Sequence, residues 1–139
     1  MELKKENDIL ETTLSIAENG YAEAYRFLLD EYEKAPEAYG PQTLYFLACL
    51  AGGTERPEEA LGWLRTAIMD HGWWYRPEVL EDDDLAQLNG NAEFCSLKAC
   101  SDMRYADAVS QTKALFSWER KTADHLFLAV HGNTQNGRT

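Results

Sequence analysis

Acidic residues form the densest run of potential cation ligands in this sequence, at Glu81-Asp82-Asp83-Asp84. Carboxylate oxygens bind hard cations such as Ca²⁺, but a calcium loop spaces its ligands along the chain and includes a glycine for a sharp turn. The side chains of consecutive acids mostly point apart. We therefore interpret the run as a solvated acidic turn rather than a cation site.

Histidine and cysteine, which serve as soft metal ligands and as catalytic groups, are scattered along the chain. His71, His125 and His131 lie too far apart for a zinc signature, and no pair of cysteines has metal-ligand spacing. Three cysteines without an export signal do not form a disulfide framework. Cys49, which is flanked by leucine and alanine, is interpreted as a small buried hydrophobe. The sequence thus predicts reduced thiols, no metal and no cofactor.

Four aromatic residues are candidates for an interaction surface, namely Trp63, Trp73, Trp74 and Tyr75. Tryptophan and tyrosine are frequent anchors in protein interfaces. The same side chains also pack well between helices, where a large apolar ring fills the space and its polar tip finds a hydrogen bond. Both interpretations stay open, and we favour packing between the helix pairs and the helix that follows them.

The balance of charge limits the classes of partner. The chain of 139 residues carries 24 acidic and 13 basic side chains, which give a formal net charge of −11. Such a charge argues against binding to nucleic-acid phosphates or to an anionic membrane surface, and it favours a basic or neutral protein partner. No signal peptide or membrane span is recognisable, so we expect a cytoplasmic protein.

Helical periodicity in the first half of the chain predicts two helical hairpins. Apolar residues recur three and four positions apart, and the stretches end at glycine or before proline. Pro57 suits the first turn of the fourth helix. The predicted helices run from Leu3 to Glu18, from Tyr21 to about Lys34, from about Gln42 to Ala51, and from Pro57 to Gly72.

The second half of the chain has a different pattern. Two short helical turns, over Glu78 to Glu81 and Asp84 to Leu88, precede a long helix that begins at the N-cap Asn91. We expect this helix to extend through Phe116 and to cover the open end of the stacked hairpins, which would otherwise leave an apolar face in water.

Small and apolar residues alternate at fixed spacing in the second hairpin, at Leu44, Leu47, Ala48, Ala51, Ala60, Leu64 and Ala67. This spacing resembles the tetratricopeptide repeat (TPR), in which small residues let paired helices approach closely. The echo of Glu23-Ala24 in Glu59-Ala60 indicates an internal repeat close to the length of that repeat class. The resemblance implies a TPR-like superhelix over roughly residues 5 to 75, with a concave face for a peptide or a partner domain.

An apolar run from Leu126 to Val130 follows the polar residues Lys121 to Asp124 and leads directly into His131-Gly132-Asn133. A short apolar run that ends in a turn predicts a buried strand. A helical leader, a linker, a strand and His-Gly in that order resemble bacterial predicted esterases that carry helical repeats ahead of an α/β-hydrolase domain. The resemblance implies that Gly132 and Asn133 lie in an oxyanion loop, whose backbone N–H groups stabilise a tetrahedral intermediate.

Together these elements predict an all-α fold of TPR-like helical hairpins with a long capping helix, plus one C-terminal strand-like segment. We place the helical domain at residues 1–120, and a linker with the start of an α/β-hydrolase-like domain at residues 121–139. The nucleophile motif Gly-x-Ser-x-Gly and a Ser-His-Asp constellation do not occur in these residues, so we expect no hydrolysis by the chain as it stands.

Two functional hypotheses fit these residues. In the first, the chain is the non-catalytic N-terminal part of a larger esterase-like α/β-hydrolase, where it covers the active site of the C-terminal hydrolase domain or mediates assembly. In the second, it is a stand-alone TPR-like adaptor that binds a peptide or protein and has no link to hydrolysis. The predicted strand lacks a partner strand in the chain, so residues 125–131 also suggest a homodimer through strand pairing.

Overall fold

Five α-helices make up most of residues 2–130, the backbone that the computed structural model of the chain describes; side chains are described for residues 5–112. No strand occurs within residues 2–130, so the predicted all-α class is confirmed there. The helices are α1 (Glu2–Ala17), α2 (Tyr21–Lys34), α3 (Pro41–Gly52), α4 (Pro57–Arg65) and α5 (Ala92–Val130). Short 3₁₀ helices cover Pro36–Ala38, Pro77–Glu81 and Asp83–Leu88, and a π-helical turn covers Thr66–Asp70.

The chain divides into two compact units, Met1–Tyr105 and Ala106–Thr139. The first unit contains α1 to α4, the short helices and the beginning of α5, and the second contains the rest of α5. The predicted boundary at residue 120 lies within α5 and stays a prediction. None of the helices described in residues 2–130 combines the length and the apolarity that crossing a membrane requires.

The first four helices pack in chain order, α1 on α2, α2 on α3 and α3 on α4. This arrangement confirms the two predicted hairpins, while the TPR-like detail of the repeat stays a prediction. Glu6 of α1 accepts hydrogen bonds from the Gly40 N–H (2.9 Å) and from the Thr43 hydroxyl. A carboxylate from α1 therefore satisfies the start of α3, where the positive end of the helix favours a negative charge.

The hydrophobic core of the first unit consists of the apolar stripes that the periodicity predicts. Ala48 on α3 and Ala60 on α4 are fully buried, so their small side chains are in the tightly packed interior. The largest apolar side chains with almost no exposure are Leu28, Leu44, Leu47, Leu64, Ile68, Leu80 and Leu85.

The end of the fourth predicted helix is a π-helical turn rather than a regular helix end. The His71 N–H donates to the Thr66 carbonyl at 3.1 Å, five residues back. Gly72 follows with φ +76°, a left-handed conformation that glycine adopts without steric cost. The predicted stop at Gly72 is therefore confirmed, whereas the apolar periodicity does not predict the π turn.

The start of α5 follows the predicted capping chemistry. The Phe94 N–H donates to the Asn91 Oδ1 at 2.9 Å, so Asn91 is the N-cap. Phe94 and Leu97 are buried, and the Ser101 hydroxyl accepts from the Tyr75 N–H (2.8 Å) and donates to the Tyr75 carbonyl (3.1 Å). The long helix thus packs against the aromatic segment that precedes it.

The structure corrects the predicted strand over Leu126–Val130, because α5 continues as a helix through Val130. A five-residue apolar run carries no periodicity that separates a strand from a helix, and no glycine or proline precedes it to end α5. Gly132 and Asn133, the predicted oxyanion residues, lie outside the described residues. A homodimer through residues 125–131 stays a prediction, but strand pairing is no longer its basis.

Candidate functional site

The predicted aromatic residues have separate packing roles. The Trp63 Nε1–H donates to the Tyr25 hydroxyl at 3.0 Å, and its ring meets Tyr32 edge-on with a centroid distance of 5.3 Å. Trp63 is half-buried. It therefore packs against α2, as the structural interpretation expects.

Trp73 and Tyr75 are also engaged with their neighbours. The Trp73 ring stacks on the His71 ring with a centroid distance of 4.1 Å and an interplanar angle of 10°. The backbone carbonyl of Trp73 accepts a hydrogen bond from the Arg104 Nη1 at 2.9 Å. The same nitrogen of Arg104 donates to the Ile68 carbonyl at 2.6 Å. Tyr75 is buried, and its hydroxyl donates to the Pro41 carbonyl at the start of α3. These contacts connect the aromatic segment to α3, to the π turn and to α5.

Trp74 is the member of this set with the most accessible side chain. It is 40% exposed, and its ring lies against Tyr105 with a centroid distance of 5.8 Å. The role of the four residues in partner binding stays a prediction. Trp74 alone among them presents a large apolar area to solvent.

A second group of side chains, which the sequence did not bring together, surrounds Cys49. The Cys49 Sγ and one carboxylate oxygen each of Asp82 and Asp84 all lie within 4.8 Å of one another. The hydroxyls of Tyr21 and Tyr45 reach the same carboxylates. We call these five residues the Cys49 cluster.

Two adjacent glycines at the end of α3 make room for this cluster. A Cβ on Gly52 would lie 3.3 Å from the carbonyl carbon of Asp84 and would overlap with the carbonyl oxygen of the same residue. A Cβ on Gly53 would lie 2.5 Å from the Cδ2 of Tyr21. The Gln87 amide donates to the Gly52 carbonyl at 2.7 Å. Gly52 therefore admits the acidic turn, and Gly53 admits the tyrosine.

Hydrogen bonds hold alternate acids of the run toward the protein. The Tyr45 hydroxyl donates to Asp82 Oδ2 at 2.8 Å, and the Tyr21 hydroxyl donates to Asp84 Oδ2 at 3.0 Å. The Asp84 N–H donates to Asp82 Oδ1 at 2.8 Å, so Asp82 caps the short helix that follows. Asp83 is exposed, whereas Asp82 and Asp84 are half-buried. The run is therefore solvated at Asp83, whereas Asp82 and Asp84 are only partly in solvent and are hydrogen-bonded to the protein.

The electrostatics of the Cys49 cluster disfavour ionisation of the thiol. Burial raises the pKa of Cys49 to about 12; the Tyr45 hydroxyl opposes this shift, and the charges of Asp82 and Asp84 add to it. Burial also raises the pKa of Asp84, and its acidic neighbours add to the shift while the hydrogen bond from Tyr21 opposes it. A protonated thiol is a weak nucleophile. The arrangement therefore does not activate Cys49 for covalent catalysis.

Sequence reasoning missed the Cys49 cluster because its members belong to distant segments. Cys49 and Asp82 are separated by the whole of α4 and the aromatic segment. The Gly52-Gly53 pair was recognised only as the end of a helix. This glycine pair was the one available signal, because consecutive glycines also mark places where another segment approaches the backbone closely.

Comparison with known proteins identifies the family. A family model described as "A/B hydrolase-like, N-terminal domain" matches residues 5–109. The chain belongs to this family. The resemblance to the helical part of hydrolase-like proteins, which the sequence suggested, is thereby confirmed. A search of curated proteins found no match.

A solved structure supports the same architecture. It is the 2.75 Å crystal structure of an uncharacterized protein from Bacillus cereus ATCC 10987, which is 31% identical, with a TM-score of 0.66. The similarity covers 74% of this chain and 34% of that protein. The chain thus spans about a third of the length of this solved relative.

Proposed function

We propose that this chain is the non-catalytic helical part of a hydrolase-like protein, and that it acts by binding the hydrolase domain. The match of residues 5–109 to the N-terminal domain of A/B hydrolase-like proteins carries this proposal. The solved relative is about three times as long as the aligned region, which leaves room in such proteins for a further domain.

The contacts of the potentially reactive groups support a role other than hydrolysis. His71 stacks on Trp73, and Ser101 exchanges two hydrogen bonds with the backbone of Tyr75. The thiol of Cys49 is held in its protonated form by burial. Covalent catalysis needs a nucleophile within hydrogen-bond reach of a base, and each of these groups is committed to packing instead.

Trp74 and Tyr105 are the surface that we propose for contact with the hydrolase domain. Trp74 is 40% exposed beside the half-buried Tyr105, which is the last residue of the first compact unit. Tryptophan and tyrosine are enriched among the residues that dominate interface energies. The contact therefore uses an apolar anchor on a chain of net negative charge, which suits a neutral or basic face on the partner.

The first experiment tests the absence of catalysis. The purified chain is incubated with an activated short-chain ester and, separately, with a serine-reactive phosphonate. We expect neither turnover nor labelling. Stoichiometric labelling of the pure chain would overturn the non-catalytic assignment.

The second experiment tests binding of the hydrolase domain. The chain is mixed with the part of the Bacillus cereus relative that it does not cover, and association is measured by sedimentation and calorimetry. We expect a complex that Trp74→Ala weakens by about tenfold or more, as for an interface anchor. Leu14→Ala is the matched control, because Leu14 is 54% exposed and lies on α1. No complex, or equal weakening by both variants, contradicts the proposed surface.

A further inference from the structure

We propose that Cys49, Asp82 and Asp84 form a site for a zinc-like divalent cation. Their ligand atoms, one sulphur and two carboxylate oxygens, lie within 4.8 Å of one another. They come from α3 and from the segment at the start of the short helix Asp83–Leu88. This inference is independent of the hydrolase-domain contact, because it involves different residues.

The charge balance around the Cys49 sulphur is the observation that points to a cation. Cys49 is 8% exposed, and its sulphur faces the two carboxylates. The Tyr45 hydroxyl donates to Asp82 Oδ2, with 2.8 Å between the two oxygens. Within residues 5–112, no lysine or arginine forms an ion pair with Asp82 or Asp84, so these two half-buried carboxylates lie side by side without a basic partner. A divalent cation between these three atoms would displace the thiol proton to solvent and supply the positive charge that the two carboxylates lack.

The ligand set selects the class of metal. A thiolate favours Zn²⁺ and chemically similar ions over Ca²⁺ and Mg²⁺, which prefer oxygen ligands alone. Zinc bonds of about 2.0–2.3 Å in a tetrahedron place ligand atoms about 3.5 Å apart, so the three side chains need to close by about 1 Å. Three protein ligands leave the fourth position of the tetrahedron for water or for a group of a bound molecule.

Outer hydrogen bonds prepare the carboxylates for this role. Tyr45 and Tyr21 each donate to one oxygen of Asp82 and Asp84, respectively, which fixes the plane of each carboxylate. Metal-ligating carboxylates are commonly oriented by such donors, and their loss typically weakens metal binding. Gly52 positions the turn at the end of α3. The five residues of the Cys49 cluster thus include both the ligands and the groups that hold them.

The test is a titration of the purified, reduced chain with Co²⁺, followed by its thiolate-to-cobalt charge-transfer absorption, and with Zn²⁺ by calorimetry. We expect one ion per chain. Cys49→Ser should abolish the charge-transfer band, and Asp82→Asn should weaken Zn²⁺ binding by about tenfold or more. Two matched controls remove equivalent groups outside the site. Cys95→Ser removes an exposed thiol, and Asp83→Asn removes an exposed carboxylate. Both should leave the stoichiometry and the affinity unchanged.

Each alternative outcome overturns the proposal. Wild-type chain without a charge-transfer band has no cobalt thiolate, and a band that persists in Cys49→Ser places the metal on another cysteine. Equal weakening by Asp83→Asn and Asp82→Asn shows diffuse attraction to the acidic run instead of a site. Circular dichroism establishes that each variant is folded, and Asp82→Asn tests the site separately if Cys49→Ser unfolds.

Discussion

Substitution of Gly52 by alanine tests whether the end of α3 and the acidic turn are in contact as described. The added Cβ would lie 3.3 Å from the carbonyl carbon of Asp84, deep inside the contact distance of its oxygen, and 3.7 Å from the Cδ2 of Leu85. The obstructing oxygen belongs to the backbone, so no side-chain rotation relieves the overlap. The segment around Asp84 has to move by about 1 Å to restore an ordinary contact.

Two opposing contributions determine the size of the effect. Alanine in place of glycine in a helix gains about 0.5–1 kcal/mol from backbone entropy. Overpacking of a closely packed contact costs about 1–3 kcal/mol. The steric cost exceeds the gain, so we expect Gly52→Ala to lower the free energy of unfolding by about 1–2 kcal/mol. For a domain of this size, that corresponds to a fall in melting temperature of roughly 5–10 °C.

Gly62→Ala is the matched control within α4. Its Cβ would meet only the Arg65 Nη1 at 3.9 Å, an ordinary distance to the end of a flexible side chain. This variant should therefore gain stability by about 0.5–1 kcal/mol. Urea and thermal unfolding followed by circular dichroism measure both variants. Gly52→Ala as stable as Gly62→Ala would refute the close approach of the acidic turn to α3.

Other contacts in the first unit lead to further predictions. Ala60→Leu should lower the free energy of unfolding by about 1–3 kcal/mol through overpacking, measured by urea unfolding, and an unchanged midpoint contradicts close helix packing at this fully buried position. Ser101→Ala should lower the free energy of unfolding by about 1–3 kcal/mol, because it leaves the backbone N–H and carbonyl of Tyr75 without their buried partner. An unchanged melting temperature in thermal unfolding argues against these hydrogen bonds. The Arg65 guanidinium holds the pKa of Glu93 below its ordinary value, so the stability from this exposed pair is present above pH 4.5 and is lost as the pH falls through the folded pKa. The melting difference between wild type and Glu93→Gln should therefore be small, positive at neutral pH and absent in acid, and a difference that grows in acid has the wrong sign.

The helices and their ends could be predicted from the sequence because their signals are local. Pro57 begins α4 and Asn91 caps α5, and both use residues within the first turn of the helix that they start. The two 3₁₀ helices after the aromatic segment also lie where short helical turns were expected. The run Leu126–Val130 was misassigned because a short apolar segment has the same composition in a strand and in a buried helix.

The Cys49 cluster could not be predicted because its contacts are tertiary. Neither Cys49 nor Asp82 has a sequence neighbour that signals the other, and the partners Tyr21 and Tyr45 come from two further positions in the chain. The spacing of the acidic residues by itself carries no information about the segments against which they pack. Its orientation is determined by Gly52, whose missing side chain lets the turn approach α3.

The position of Arg104 bears on how this acidic molecule meets a partner. Its guanidinium donates to the carbonyls of Ile68 and Trp73, so one of the 13 basic side chains is directed at the backbone and is half-buried. The carbonyls at the end of a helix carry a partial negative charge, which this cation balances locally. The charge of Arg104 still counts toward the net charge of −11 at a distance, but its donors are taken up by the backbone and are less available to the carboxylates of a partner. We therefore expect a partner with a positive face to be steered toward the chain by its net charge, at an association rate that falls as salt screens the field.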